Sequence, residues 1–367
     1  MKLTVLQENL QRAVTLSSHF VSSKAQLPIL SNILLRASKS RLILSATNLE
    51  TSITTSIPVK MEGEGEITVN GKTFNDLVLN LSSGSIDLEI DKEQLKISSN
   101  KFKSNILGSN TADFPTLPYE VGKNTIKLRS KDFAKALSKS LFAVSNDETR
   151  PILTGVLFIF SENELKLVST DGFRLTETKI KLETKQKDFK IIIPKAILNE
   201  ISKVDEEEIS MSWDKENNQV VFGFGDTILS SRVIEGEFPD YEKIIPQSSI
   251  CELIIDKEEI EKAIKTASVF ARESGNIIKL QIKKETLKIT AESSASGNQE
   301  TEIEIKTEEL KQEAIDVMFN FRFLEEFLKI VEADEIKMFV SDNNKASKFL
   351  DPKSPNLIHI IMPIKTN

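Results

Sequence analysis

Apolar residues recur at helical spacing in three places along this chain. Ile260, Ala263, Ile264 and Ala267 fall at i, i+3, i+4 and i+7, one stripe on a helix. The segment holding that stripe, IDKEEIEKAI (255–264), lines up with VLQENLQRAV (5–14) and RSKDFAKALS (129–138). Leu10, Phe133 and Ile260 coincide at offsets of 123 and 127, and Ala13, Ala136 and Ala263 follow in register. A second helical pattern repeats in GKTFNDLVLNL (71–81), PKAILNEISKV (194–204) and FRFLEEFLKIV (321–331), with Leu77, Ile201 and Phe327 superimposed. Between the helices, short alternating runs such as Leu165-Lys166-Leu167-Val168 and Leu287-Lys288-Ile289 predict strands, separated by turns such as Ser161–Glu164.

Other segments keep the same offset. SRLILSATNLET (40–51) matches NELKLVSTDGFRLT (163–176) with Thr47 over Thr170, and ETLKITAESSASG (285–297) is the weakest copy. The first two copies close alike, in ADFPTLP (112–118) and GEFPDYEKIIP (236–246). One module written three times explains this order better than three unrelated domains. The expected fold is α+β, helices packed on antiparallel sheet, with domains at 1–122, 123–249 and 250–367.

Composition narrows the function. Hydrophobic residues are 39% and charged residues 28%, the balance of a globular chain. No apolar run is long enough to span a membrane and no secretory leader is visible, so a cytoplasmic location is expected. The single cysteine, Cys251, cannot form an intrachain disulfide and reads as a boundary or core residue. His19 and His359 have no ligand neighbours at metal spacing, so no metal, cofactor or catalytic residue is expected. FGFGDT (222–227) lacks the rest of a phosphate-binding motif and reads as a strand end, while Asp205–Glu208 reads as a solvated turn.

The net charge of −7 runs against a simple DNA binder, but binding depends on where charges sit. Lys131, Lys135 and Lys139 fall at i, i+4 and i+8 and suggest a basic stripe on one helix. Lys262 and Lys265 lie on the matching helix, and the second helices begin near Lys72, Lys195 and Arg322.

TDGFRL (170–175), GEFPDYEKIIP (236–246), DETRPILTGVLF (147–158) and the terminal IIMPIK (360–365) together resemble the bacterial sliding clamps, the β subunits of DNA polymerase III. The resemblance runs from Met1 to the C-terminus. It implies three similar domains per chain and a head-to-tail homodimer closed into a ring, with helices lining the hole. It also implies sequence-independent contact with duplex DNA through Lys24, Lys72, Arg150, Lys195, Asn320 and Phe323, to which the lysine stripe adds Lys131 and Lys135. Such a ring slides if its contacts are to phosphates and not to base edges.

The family further implies an apolar pocket for short peptides of the polymerase α subunit, the clamp loader and repair polymerases. Matching positions are Leu153, Thr170, Gly172, Phe173, Arg174, Leu175, Pro239, Ile244, Ile360, Met362, Pro363 and Ile364, edged by Arg150, Ile152 and Lys243. Phe173 stands where His or Tyr is frequent, and Lys243 and Lys365 where Arg is frequent. Ring closure is implied near Lys103 and Ile106 on one side and Val269, Phe270 and Arg272 on the other, with Ile106 near Phe270. The residues also admit two other classes: an enzyme using Asp171 and Arg174, and a peptide-binding scaffold that does not encircle DNA.

Overall fold

The structure is a computed structural model and describes residues 1–22, 27–100, 102–341 and 345–365. The first third runs β1 (Lys2–Leu6), α1 (Gln7–Ser18), β2 (Asn32–Ser38), β3 (Arg41–Thr47), β4 (Thr51–Pro58), β5 (Lys60–Gly63), β6 (Gly65–Asn70), α2 (Gly71–Leu79), β7 (Ser85–Asp91), β8 (Gln94–Ser99) and β9 (Phe102–Ser109). The middle third runs β10 (Ile126–Arg129), α3 (Ser130–Leu141), β11 (Gly155–Thr170), β12 (Arg174–Pro194), α4 (Lys195–Ile201), β13 (Glu208–Asp214), β14 (Gln219–Phe224) and β15 (Thr227–Arg232). The last runs β16 (Cys251–Asp256), α5 (Lys257–Ala271), β17 (Ile277–Ile282), β18 (Thr286–Ser293), β19 (Gly297–Leu310), β20 (Ile315–Asn320), α6 (Phe321–Ile330), β21 (Glu335–Val340), β22 (Ser347–Leu350) and β23 (Leu357–Ile361).

The repeat read from the sequence is the repeat of the fold. Leu10, Phe133 and Ile260 are all fully buried on α1, α3 and α5. Caps fix several helix starts. Asp256 accepts the amide of Glu259 at 2.9 Å, and Asn70 accepts that of Thr73 at 3.0 Å, each satisfying a donor the helix leaves open. Asn320 does the same for Arg322 N–H at 3.1 Å. The chain forms two compact units, Met1–Ser130 with Val204–Val233, and Lys131–Lys203 with Ile234–Asn367. The middle third contributes to both.

The first unit carries one sheet in the order β10-β13-β14-β15-β4-β3-β2-β6-β9-β8-β7-β1-β5. The second carries β11-β12-β23-β22-β21-β16-β19-β18-β17-β20. Within the first, β4 pairs with β15 as Thr51↔Ser231, Ser52↔Ser230, Ile53↔Leu229, Thr54↔Ile228 and Thr55↔Thr227. Within the second, β12 pairs with β23 as Arg174↔Ile361, Leu175↔Ile360, Thr176↔His359, Glu177↔Ile358 and Thr178↔Leu357. Superimposing the tips of the two preceding hairpins, Thr47↔Ser52 and Thr170↔Leu175, makes these two junctions identical in register.

Among the strand edges left unpaired are two inside the sheets, on β9 and β19. Residues 102–107 of β9 pair only with β8, and residues 297–304 of β19 pair only with β18, among the described residues. No helix is long and apolar enough to cross a membrane among the described residues. Cys251 is fully buried, which pushes its thiol up to about 11.

Candidate peptide-docking site

The β12–β23 junction is where the predicted pocket residues meet. Leu175 and Ile360 pair across it and are almost entirely buried. Around them pack Leu157, Val168, Ile192, Tyr241 and Ala346, with Ile152, Phe238, Ile245 and Met362 half-buried at the margin. Phe173 and Ile244 stand exposed at 61% and 43%, large apolar side chains left in water beside a dry floor. Leu153 is buried on the short 3₁₀ turn Pro151–Thr154, Pro363 is buried, and Pro239 is exposed. Ile364 is half-buried, and its amide donates to Met318 O at 2.8 Å.

The TDGFRL tip owes its shape to Asp171 and Gly172. Asp171 Oδ1 accepts the amides of Phe173 at 2.9 Å and Arg174 at 3.0 Å, a side chain replacing a backbone turn partner. Gly172 has φ +94°, and a Cβ there would lie 3.0 Å from Arg150 Nη1. Thr170 Oγ1 donates to Arg174 O at 2.6 Å, and Phe173 O takes Met362 N–H at 2.8 Å, stitching the tip to the C-terminal segment. Asp171 is thereby a structural acceptor within the tip.

The charges nearby are mostly matched to one another. Arg150 is exposed and donates to Asp147 Oδ2 at 2.9 Å and Asp171 O at 3.3 Å. Lys243 pairs with Asp240 at 2.6 Å, an exposed ion pair of little energetic weight. Arg174 is 8% exposed and bound within the unit. His359, behind the floor on β23, is fully buried against Phe327, 5.0 Å between stacked rings, with Nδ1 2.8 Å from Thr176 Oγ1. Burial, and then the charge of Arg174, pull its pKa down to about 3.

The predicted DNA-facing residues scatter more. Lys24 lies outside the described residues. Lys72 and Lys131 are exposed near the starts of α2 and α3. Lys135 is exposed but bound to Glu332 at 2.8 Å. The stripe reading fails at Lys139, whose ammonium is buried between Glu332 and Ser354 Oγ, 2.6 Å from each. Two four-residue steps on a helix accumulate about 80° of rotation, which carries the third lysine onto the packed face. Hydrogen bonds from Lys135 and Lys139 hold the Glu332 carboxyl below its usual range. Lys195 is half-buried beside Asn146 Oδ1 at 3.3 Å; burial, then the charge of Arg174, lowers its pKa. Asn320 caps α6, and Phe323 lies over the Arg174 guanidinium at 4.7 Å.

Among the ring-closure candidates, Lys103, Val269 and Arg272 are exposed and Phe270 half-buried, while Ile106 is already 7% exposed within its own sheet. Its neighbour Leu107, at 76%, is the exposed apolar residue. Sequence reasoning missed Phe238 and Tyr241, although both lie inside the FPDY signal, and it missed the open edge 297–304, which alternation alone cannot distinguish from a paired strand.

Leu175, Ile360 and their neighbours thus make a dry aliphatic floor, with Phe173 and Ile244 exposed beside it and the nearby charges of Arg150 and Lys243 paired. Residues 1–118, 127–240 and 242–365 match in turn the N-terminal, central and C-terminal domains of the DNA polymerase III beta subunit. The beta sliding clamp of Rickettsia felis is 31% identical over the whole of both chains, and that of Staphylococcus aureus is 31% identical over 94% of each. A sliding-clamp structure from Bacillus subtilis superimposes with a TM-score of 0.93 at 28% identity, covering both chains fully. The Thermotoga maritima beta subunit shares the fold, with a TM-score of 0.93 at 24% identity and full coverage. The chain belongs to the bacterial DNA polymerase III beta-subunit family, the beta sliding clamps. It is a processivity clamp and not a catalytic enzyme.

Proposed function

We propose that two copies close head to tail into a ring that encircles duplex DNA, through three domains spanning 1–122, 123–249 and 250–367. The observation that carries this reading is the repeated junction. Each chain contains it twice, with one register, and leaves its two halves as open edges on β9 and β19. An open edge invites another strand, and a head-to-tail contact that closes makes a ring.

The hairpin tips transfer the register. β8–β9 and β14–β15 have equivalent tips, Ser99↔Phe102 and Phe224↔Thr227, and Leu167↔Thr178 corresponds to Ile289↔Thr301. One copy would then set Ile106, Asn105, Ser104, Lys103 and Phe102 opposite Gly297, Asn298, Gln299, Glu300 and Thr301 of the other. Lys103 meets Glu300 with opposite charge. Val269, Phe270 and Arg272, at the end of α5, flank this seam.

Lys24, Lys72, Lys131, Lys135, Arg150, Lys195, Asn320 and Phe323 form the proposed DNA-facing set, whose cations meet phosphates weakly so that the ring slides. The site around Leu175 and Ile360 takes short peptides with Leu or Phe anchors from the polymerase α subunit, the clamp loader and repair polymerases in the cytoplasm. Pro239, Ile244, Met362 and Phe173 frame it, and Arg150 and Lys243 sit at its edge. The test is topological. Loaded onto nicked circular DNA, the protein stays bound and is lost once the circle is cut. Equal retention on both forms rejects encirclement.

A further inference from the structure

Four partners converge on the guanidinium of Arg174. Nε donates to Asp171 Oδ2 at 3.0 Å, Nη1 to Glu326 on α6, and Nη2 to the carbonyl of Phe142, just past α3, at 2.6 Å. The rings of Phe323 and Phe142 cover it, with centroids 4.7 and 5.4 Å from Cζ. A planar fork held by acceptors and covered by aromatic rings is a rigid internal joint. It is 8% exposed, so it offers little to an incoming peptide.

We propose that Arg174 is a positioning residue of the docking site and not a ligand of the peptide. It joins the TDGFRL tip to α6 through Glu326 and Phe323, and to the end of α3 through the Phe142 carbonyl. Its own backbone belongs to the tip: its amide donates to Asp171 Oδ1 and its carbonyl accepts from Thr170 Oγ1. Locking the guanidinium therefore locks Leu175, the next residue and the centre of the floor. It also fixes the Phe173 carbonyl that receives Met362 N–H. Glu326 lies outside the apolar cluster around Leu175, yet it sets that cluster's mouth through Arg174. This inference rests on the peptide-docking reading of the same site.

The test uses the full chain, a short synthetic peptide with Leu and Phe anchors followed by fluorescence anisotropy, and the Arg174 Nε–H and Met362 amide signals by NMR. Glu326→Ala is expected to weaken peptide binding about tenfold, because it strips one acceptor from an enclosed charge. Glu326→Gln, which keeps an acceptor, recovers part of that loss, and Arg174→Lys, which loses the fork, is as weak as Arg174→Gln. Adding Glu326→Ala to Arg174→Gln costs nothing further. In the peptide-free protein Glu326→Ala moves the Met362 amide signal, and in the wild type saturating peptide leaves the Arg174 Nε–H signal in place. Wild-type affinity in Glu326→Ala, additive losses, or a peptide-induced shift of Nε–H would each overturn the proposal. A wild type that fails to bind the peptide, together with a Met362 signal that Glu326→Ala still moves, would reject the peptide site while sustaining the joint.

Discussion

The junction of β4 with β15 and that of β12 with β23 have the same register and opposite chemistry. On the outer face the first sets Ser52 against Ser230, hydroxyl to hydroxyl at 2.6 Å, where the second sets Leu175 against Ile360. On the opposite face Thr55 meets Thr227 at 2.8 Å, where Thr178 faces Leu357. The hairpin tips keep one backbone shape. Leu49 has φ +76° in the first and Gly172 φ +94° in the second, a conformation that only glycine adopts without strain. Backbone pairing holds each junction together, and the side chains on one face differ, a hydroxyl pair in the first and an aliphatic pair in the second. The hydroxyls of Ser52 and Ser230 satisfy each other, whereas Leu175 and Ile360 join a buried aliphatic cluster beside which Phe173 and Ile244 stand exposed.

Exchanging that chemistry gives the largest expected effect. Leu175→Ser with Ile360→Ser brings the hydroxyls of the first junction into the second, and should weaken peptide binding at least a hundredfold, about 2.8 kcal/mol, in a titration. Unchanged affinity would place the peptide elsewhere.

The inner face gives the next effect. Leu229 in the first junction corresponds to His359 in the second, a neutral buried imidazole. Its folded pKa of about 3 lies below the ordinary 6.5, so the unfolded chain binds the proton first as pH falls. Stability contributed by neutral His359 is full above pH 6.5 and declines toward pH 3, by about 2 kcal/mol between pH 6.5 and 5. Denaturant midpoints across this range should fall less steeply for His359→Leu than for the wild type.

The smallest effect lies in the first junction. Ser52→Ala leaves Ser230 without its close hydroxyl partner and should cost about 1 kcal/mol of stability, with peptide affinity untouched.

Much of this was legible in the sequence, and the reasons differ by feature. Helix pairs were found because the 3.6-residue period places Leu10, Phe133 and Ile260 on packed faces. The TDGFRL motif marked a hairpin tip because its turn geometry demands particular residues, Asp171 and Gly172 above all. What stayed hidden depends on which side of a residue is covered. Nothing local says that Arg174 is enclosed by Glu326, Phe142 and Phe323, or that Lys139 turns inward while Lys131 does not. The open edge at 297–304 was invisible for the same reason, since a strand's pattern records its faces and not its hydrogen-bonding neighbours.

Cross-linking across that edge is the most direct test of the repeated junction as the device that closes the ring. Asn105→Cys combined with Asn298→Cys should give, on mild oxidation, a covalently closed pair of chains that stays on circular DNA through a denaturing wash. Native Cys251 is buried and does not compete. Asn105→Cys with Glu300→Cys, two residues out of register, should remain uncrosslinked. Efficient bonding of the shifted pair, or none in either, would contradict closure by the register that the chain already uses twice.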